Sequence, residues 1–420
     1  MFPPTFARLM TKRERIVIVL LAAINFTHIL DFMIMMPLGN YLMPAFDITP
    51  RQFSFLIAAY PVSSFIAGIT MFFLADLFER KKLLLATYIG FIIGTAACGF
   101  ANSYNLLLIA RIVAGIFGGI IGGQVLAIIG DLFSYERRGA AMGAVMSAFA
   151  IASSVGVTIS LYLVEVFGNN WHVPFIMVAV LAMIIFSLCY NILPTLNNHL
   201  TGRTINSASE RLQKIYRVLT GKRTGMTLLF SGVTMMGHFL IIPLITSYME
   251  FNMGYEKSVI PIVYLVGGAA SLVSAIVLGR LSDRVGKLTV FSYCVPISFV
   301  FVILLTNLPV LPFSVVLVFF AIWFALATGR AVSSQTMVTG VTDEKGRGSF
   351  MSLNSSIQQL GSGIASLVSG FIVTEDRTTH KLFHYEWVGY LSVLVLFVAL
   401  LIGRHLFKNT DSRKAVYKTL

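Results

Sequence analysis

The sequence predicts an all-α integral membrane protein, with twelve transmembrane helices arranged as two pseudo-symmetric bundles of six. Three observations carry that prediction. Of the 420 residues, 57% are hydrophobic and only 12% charged, with a mean hydropathy of +0.83, which lies outside the range of soluble domains. Apolar runs recur along the chain, each long enough to cross a hydrocarbon core ~30 Å thick, which takes about 20 helical residues. The basic residues gather between alternate runs, as an oriented membrane protein requires.

Taken in order, the apolar runs fall at 15–38, 54–75, 83–101, 106–130, 140–167 and 174–194, and then at 226–248, 259–279, 288–308, 313–337, 349–373 and 387–407. Nothing before the first run has the form of a cleaved leader, because "TKRER" runs straight into a segment long enough to span. The first helix is therefore expected to stay as an anchor. With the N-terminus cytoplasmic, the inner segments hold roughly 25 of the 31 Lys and Arg residues, against four outside, Arg51, Lys257, Arg377 and Lys381. Both termini are then cytoplasmic, in the inner (plasma) membrane. The net charge of +13 is read as orientation and not as a nucleic-acid surface, since no basic face is interleaved with aromatics. Trp171 and Trp387 fall at outer interfaces, where an aromatic belt is expected.

Twelve crossings consume ~240 residues and leave no room for a fused kinase, nucleotidase or DNA-binding module. The expected organisation is a bundle over 1–195, a cytoplasmic linker over 196–225, and a second bundle over 226–420. Within the linker, Ala208 to Leu219 reads either as a basic amphipathic helix on the inner leaflet or as a solvated connection. Cys98, Cys189 and Cys294 each lie in an apolar run without metal-type spacing and read as small core residues.

The two halves repeat. "ADLFERKK" after the second helix aligns with "SDRVGKLT" after the eighth, placing Asp76 against Asp283, 207 positions later, and "ERRGAAMG" aligns with "KGRGSFMS", placing Gly139 against Gly348 at a spacing of 209. Two matches at nearly one offset indicate duplicated six-helix bundles, an arrangement that in membranes places a transport site near the midplane. At these residues the chain resembles the major facilitator superfamily, whose loop signature between helices two and three reads G-x-x-x-D-R-x-G-R-K. Gly279, Asp283, Arg284, Gly286 and Lys287 match it in the second half. In the first half Asp76, Arg80 and Lys81 match, while Phe72 and Glu79 stand where glycines are expected and Leu77 replaces the arginine. The resemblance implies a cytoplasmic gating role for these residues. More narrowly the chain is similar to the twelve-helix drug:proton antiporters, or arabinose-efflux-like permeases. "DFMIMMPLG", "RIVAG", "WHVPF" and "GRGSFMSLNSSIQQLGSG" carry that likeness over nearly the whole length.

Asp31 lies inside the first apolar run, where an ionised carboxylate is paired, water-exposed or protonated. Asn25, His28 and Asp31 share one helical face, and this polar stripe is expected to face a water-accessible cleft rather than lipid. Arg111, in the fourth helix, lies at a similar depth. In the resembling family the helix-four arginine influences protonation of the helix-one acid, so Asp31, Arg111 and His28 are the proton-coupling candidates. A fixed Asp31 to Arg111 ion pair holding helices together is the competing reading, and His28 is either a relay or a satisfied hydrogen-bonding residue. Candidates for a solute cavity are Asn25, Gln124, His238, Trp323, Arg330, Asn354 and Gln358, with helix-to-helix hydrogen bonding as the alternative for the uncharged ones. If Arg330 lines the cavity, two arginines against one aspartate favour anionic or zwitterionic solutes.

Gly115, Gly118, Gly119, Gly122 and Gly123, and also Gly139 and Gly143, form small-x-x-x-small patterns that let neighbouring backbones approach closely. In helix five, where the resembling antiporters carry a glycine-proline signature, Gly156 is followed by Val157, with Ser160 near by. No phosphate-binding G-x-x-x-x-G-K-[ST] loop, H-E-x-x-H pair or G-x-S-x-G elbow occurs. An ion gradient is therefore the expected energy source, no cofactor or metal is expected, and the chain is not expected to be an enzyme. His380 and His384, near Glu375, Asp376 and Glu386, read as an ordinary polar loop in preference to a metal site. The expectation is a secondary transporter acting as a monomer and exporting small, partly apolar compounds against protons by alternating access. The alternatives are a proton symporter or uniporter for nutrient uptake and, from another class, a membrane ligand sensor on a transporter fold.

Overall fold

The computed structural model describes residues 11–74, 77–133, 135–194, 213, 216–341, 347–376 and 378–416. The chain folds as α1 (Lys12–Ile34), α2 (Gly39–Phe46), α3 (Pro50–Leu74), α4 (Arg80–Gly99), α5 (Tyr104–Leu132), α6 (Tyr135–Ile151), α7 (Val157–Val166) and α8 (His172–Ile192). It continues as α9 (Lys222–Phe239), α10 (Ile242–Phe251), α11 (Ile260–Val285), α12 (Lys287–Thr306), α13 (Phe313–Thr339) and α14 (Arg347–Ile372). A two-residue hairpin, β1 (Thr374–Glu375) against β2 (Leu382–Phe383), precedes α15 (Tyr385–Val416).

Twelve membrane spans follow, because α6 with α7 and α9 with α10 are interrupted helices and α2, of 8 residues, is too short to cross alone. Among the described residues eleven helices are both long and apolar enough to cross a membrane. The twelfth span, α14, is 26 residues long, and its Ser, Asn and Gln side chains lower its hydropathy. Of the expected linker, residue 213 and residues 216–225 are described, and Lys222 already opens α9. Most of the segment read as an amphipathic helix lies outside the described residues.

Local chemistry accounts for the starts and breaks. Thr11 and Glu14 cap α1 reciprocally, the Thr11 N–H donating to Glu14 Oε2 at 2.8 Å and the Glu14 N–H to Thr11 Oγ1 at 3.2 Å. Thr49 and Gln52 do the same for α3 at 3.0 and 3.3 Å. These are capping boxes, and each satisfies two backbone donors left free at a helix start. The first apolar run was expected to continue to residue 38, but α1 stops at Ile34, and four residues in turns, Met35 to Leu38, separate it from α2. Pro37 supplies no N–H and blocks the preceding turn. The seventh run breaks likewise at Leu240 and Ile241, before Pro243, and there the Tyr385 hydroxyl donates to the freed Ile241 carbonyl at 2.7 Å. In the fifth span, one turn of π-helix at Ala152–Gly156 stands at the place of the glycine-proline signature. Without a proline the ladder is kept, widened by one residue, and Ser160 Oγ donates to the Gly156 carbonyl at 2.8 Å.

The structure divides into two compact units, one of Met1–Ile34 with Ala59–Leu212 and one of Met35–Ala58 with Gln213–Leu420. In the first unit, α5 packs closely on α3 and α4. A Cβ on Gly115 would lie 2.2 Å from Ser63 Oγ, one on Gly119 2.5 Å from the Ser64 carbonyl, and one on Gly94 2.6 Å from Ala114 N. Ser64 Oγ also donates to the Gly115 carbonyl at 2.7 Å. Gly115 and Gly119 are thus surfaces for backbone approach, as the spacing predicts, whereas Gly118 and Gly122 meet the side chains of Tyr60 and His28. Gly143 is a correction. Nothing lies within 4 Å of a Cβ built there, so Gly143 is exposed and is not a point of close helix approach; what surrounds Gly139 lies outside the described residues. Gly119→Val is accordingly expected to destabilise the protein by about 3 kcal/mol through overpacking, read as a fall in the thermal unfolding midpoint in detergent. Gly143→Val is expected to leave that midpoint unchanged.

In the second unit, Gly39 lies against Phe53 and Ser247, and Gly370 against Ser54. Asn40 Nδ2 donates to Glu250 Oε2 at 2.6 Å, and Lys257 Nζ lies 3.6 Å from Glu250 Oε1. The core of this unit is aromatic, with Phe230 edge-on to both Phe291 and Phe407. Gly361 allows α14 to approach the backbone of α9, since a Cβ there would sit 2.5 Å from the Gly232 carbonyl. Cys98, Cys189 and Cys294 are buried free thiols, as expected. The expected aromatic belt is only half present: Trp387 is exposed, but Trp171 is buried, stacked on His172 with ring centroids 3.7 Å apart. Its position at the start of α8 turns the indole inward onto Phe175.

Candidate functional site: a buried ion pair and a second polar cluster

Asp31 sits three residues before the end of α1, and Arg111 lies two turns into α5. Arg111 Nη1 donates to Asp31 Oδ2 at 2.8 Å and to the Asp31 carbonyl at 3.1 Å. Both side chains have 0% exposure. The sequence placed the two at similar depth, and the structure brings them into direct contact. Arg111 also lies over the Tyr60 ring, 4.7 Å from its centroid, with the Phe175 ring at 6.0 Å. Tyr60 in turn stacks on Phe32 at 5.6 Å and donates its hydroxyl to the His28 carbonyl at 3.2 Å.

The pair is incompletely satisfied. Asp31 Oδ1, Arg111 Nε and Nη2, and Thr95 Oγ1 are buried and make no hydrogen bond of good geometry, with only weak contacts from Thr95 to Asp31 and from Cys98 to Arg111. A buried ion pair holds a structure firmly only when its remaining lone pairs and protons are also bonded. The expectation that Asp31 faces a water-accessible cleft is corrected for this structure, in which Phe32, Tyr60 and Phe175 wall the pair and no carboxylate surface is exposed.

His28 and Asn25 are buried beside this pair but are bonded to each other. His28 Nε2 and Asn25 Oδ1 are 2.9 Å apart, and Asn25 Nδ2 donates to the Val145 carbonyl at 3.1 Å. The His28 side chain is therefore bonded along its own helix to Asn25, which reaches α6, and not to Asp31. Gln124 is buried in α5 with Oε1 unpartnered. Tyr60 went unnoticed in the sequence. Its signal was an aromatic adjoining Pro61 inside an apolar run, which is too common to single out before Arg111 is seen beneath it.

The second unit carries its own cluster. His238 lies one residue before the end of α9 and 207 positions after Asp31, the offset of the internal repeat. Its ring is 5.6 Å from that of Trp323 on α13. Trp323 and Arg330, seven residues apart on one helical face, are 1% and 3% exposed. His238 Nδ1, Trp323 Nε1, Arg330 Nη1 and Asn354 Oδ1 are buried without partners. Gln358 behaves differently, its Nε2 donating to Ser231 Oγ at 2.8 Å and to Gln335 Oε1 at 3.3 Å, so it ties α14 to α9 and α13.

The loop signatures also acquire partners. Arg80 Nε meets Asp131 Oδ2 at 3.1 Å, joining the start of α4 to the end of α5. Lys81 Nζ donates to the Leu193 and Tyr190 carbonyls at 2.6 and 3.0 Å, closing the C-terminal end of α8 as a cation does. Asp131 was missed because it lies beyond the signature itself. Asp76 lies outside the described residues. In the second half Lys287 pairs with Asp283, Arg284 is exposed, and a Cβ on Gly279 would lie 4.0 Å from Val332. Gly286 has φ +104° between α11 and α12, a conformation that only glycine adopts readily, and this accounts for the glycine there. His380 and His384 form ordinary contacts, His380 Nδ1 with Glu375 Oε1 at 2.6 Å and His384 Nδ1 with Thr374 Oγ1 at 3.2 Å.

Interrupted spans, a membrane-buried charge pair and a repeated half with buried polar side chains are the build of a membrane transporter. The profile of the Major Facilitator Superfamily matches residues 21–329 and 227–418, and the chain belongs to that family. It is 34% identical over 122 residues to multidrug resistance protein 3 of Bacillus subtilis, covering 29% of this chain and 23% of that protein. It is 34% identical over 165 residues to the vacuolar membrane amino acid uptake transporter fnx2 of Schizosaccharomyces pombe, covering 38% and 26%. The matched stretch thus spans about a quarter of each of these relatives. In fold it is similar to a bacterial homologue of the human lysosomal transporter Spinster, with a TM-score of 0.75 at 15% identity over 95% of this chain and 98% of that one.

Proposed function

We propose that this transporter is a proton-coupled exporter of small, partly apolar organic compounds, with Asp31 as the group that takes up and releases the proton and Arg111 as the charge that governs when it does so. The observation that carries the reading is the fully buried Asp31 to Arg111 pair with orphaned atoms on both sides. One proton added to Asp31 removes the counter-charge of Arg111, and an isolated buried guanidinium is costly. The two protonation states therefore favour different helix arrangements, which is the coupling that a gradient-driven cycle requires. The break at Met35 to Leu38, one helical turn beyond Asp31, gives the segment room to move and to open the enclosed carboxyl to water. His28, held by Asn25, is a positioning residue for the same helix face. The Arg80 to Asp131 and Lys81 to α8 contacts are the cytoplasmic gate of the first half, and the Gly279 to Lys287 loop is that of the second.

The reading also sets both termini in the cytoplasm, the protein in the plasma membrane and the monomer as the working unit. Local likeness to a multidrug resistance protein supports the export direction. Sealed inside-out vesicles containing the transporter test it. With an acidic interior, members of a panel of amphipathic organic compounds are expected to accumulate as protons leave. Accumulation only in right-side-out vesicles with acid outside would show symport and overturn the export reading, and no movement of any compound would overturn transport altogether.

A further inference from the structure

Arg330 presents a different situation from Arg111. Each is a guanidinium inside a helical bundle, but Arg111 meets a carboxylate at 2.8 Å, whereas no ion pair to Arg330 is found among the described residues. The cationic residue of the second unit is thus buried without its counter-charge, a condition that proteins tolerate when something else supplies the anion. The surrounding groups point the same way. Arg330 Nη1 and Trp323 Nε1 are donors that cannot accept, and both are buried and unpartnered. His238 stands close enough to feel the charge of Arg330, its ring 5.6 Å from Trp323 and its Nδ1 also without a partner. Phe320 and Phe324 pack edge-on against Trp323, at 6.2 and 5.1 Å. Free donors on one face of α13, with one uncancelled positive charge, suit a ligand group that is anionic and only accepts. The aromatic walls suit a flat apolar body attached to it.

We propose that Arg330, Trp323 and His238 form a binding site for the carboxylate of a small aromatic organic acid, its ring lying against Trp323 and His238. The inference rests on the transport reading above, which it deepens by giving the class of solute. A cationic drug is disfavoured here by the charge of Arg330, and a neutral one leaves that charge unanswered.

The test is calorimetric titration of the purified full-length transporter with phenylacetate, phenylacetamide and phenethylamine, and with indoleacetate against its amide. The acids are expected to bind roughly 10- to 100-fold more tightly than the amides, the range of a charge-assisted hydrogen-bonded contact, with the amine weakest. Arg330→Gln is expected to erase the difference between acid and amide, and Arg330→Lys to keep part of it. Amide or amine binding as tight as the acids, no binding of the acids, or an unchanged preference in Arg330→Gln would overturn the proposal. Should Arg330→Gln not fold, Trp323→Phe, which keeps a ring but removes the donor, is expected to weaken the acids by about 5-fold and spare the amides; equal affinities to the parent protein overturn it. The vesicle assay separates the two readings. Acid binding through Arg330 with no proton-driven movement sinks the coupling and keeps the site, while proton-driven export of cations alone does the reverse.

Discussion

Asp31→Asn is expected to abolish proton-driven transport, lowering the rate under an imposed pH gradient by about 100-fold or more, the scale on which a proton-transferring side chain acts. The substituted protein is expected to fold and to exchange labelled solute across the bilayer when no gradient is applied. Asparagine is nearly isosteric with a protonated aspartate and keeps an oxygen to accept from Arg111 Nη1, which lies 2.8 Å from Asp31 Oδ2. It therefore mimics one of the two states that a coupled cycle must visit. A fixed strut behaves differently. Breaking a buried pair by removing one charge costs about 3–5 kcal/mol, so a large fall in the unfolding midpoint, with gradient-driven and exchange transport lost together, is the signature of a merely structural pair. Full proton-driven transport by Asp31→Asn would remove the residue from the coupling role.

The second large effect is expected at Arg111. Arg111→Gln leaves the Asp31 carboxylate enclosed by Phe32, Tyr60 and Phe175 with no counter-charge, and about 3–5 kcal/mol of stability is expected to be lost at neutral pH. The double variant Asp31→Asn, Arg111→Gln carries no buried charge at this point and is expected to recover most of that loss. Thermal unfolding of the four proteins gives the coupling energy directly. If the two single substitutions simply add, the side chains do not act as a pair in the membrane-embedded protein. Proton-driven transport is expected to be absent from all three substituted forms, so stability and transport separate most clearly in the double variant.

Much of this was legible in the chain. Twelve spans followed from composition and run length, and the run at 349–373 marked α14 although its Ser, Asn and Gln side chains make it less apolar than the other crossings. The helix-four glycines were readable as packing surfaces because only a missing Cβ permits the approach seen at Gly115 and Gly119. Gly143 shows the limit of the same spacing, which recurs on exposed faces where nothing packs. Helix interruptions were hidden, because a hydropathy window averages across the four-residue turn after Ile34 and sees one continuous run. The Asp31 to Arg111 contact could be suspected from depth but not its enclosure, which depends on rings contributed by α3 and α8. Asp131 and Glu250 gained meaning only from partners 51 and 210 residues away in the chain.

By itself the sequence determined the solvent this protein lives in, the number of crossings and the duplicated plan. Each follows from local sums, how many consecutive residues are apolar and where the charges interrupt them. The tertiary structure decided which buried charge is answered and which is left open. Arg111 and Arg330 look alike along the chain, each an arginine within an apolar helix. One meets a carboxylate carried by another span and the other meets donors and rings, a difference that arises only when distant helices are brought together in a medium that leaves no charge unaccounted for.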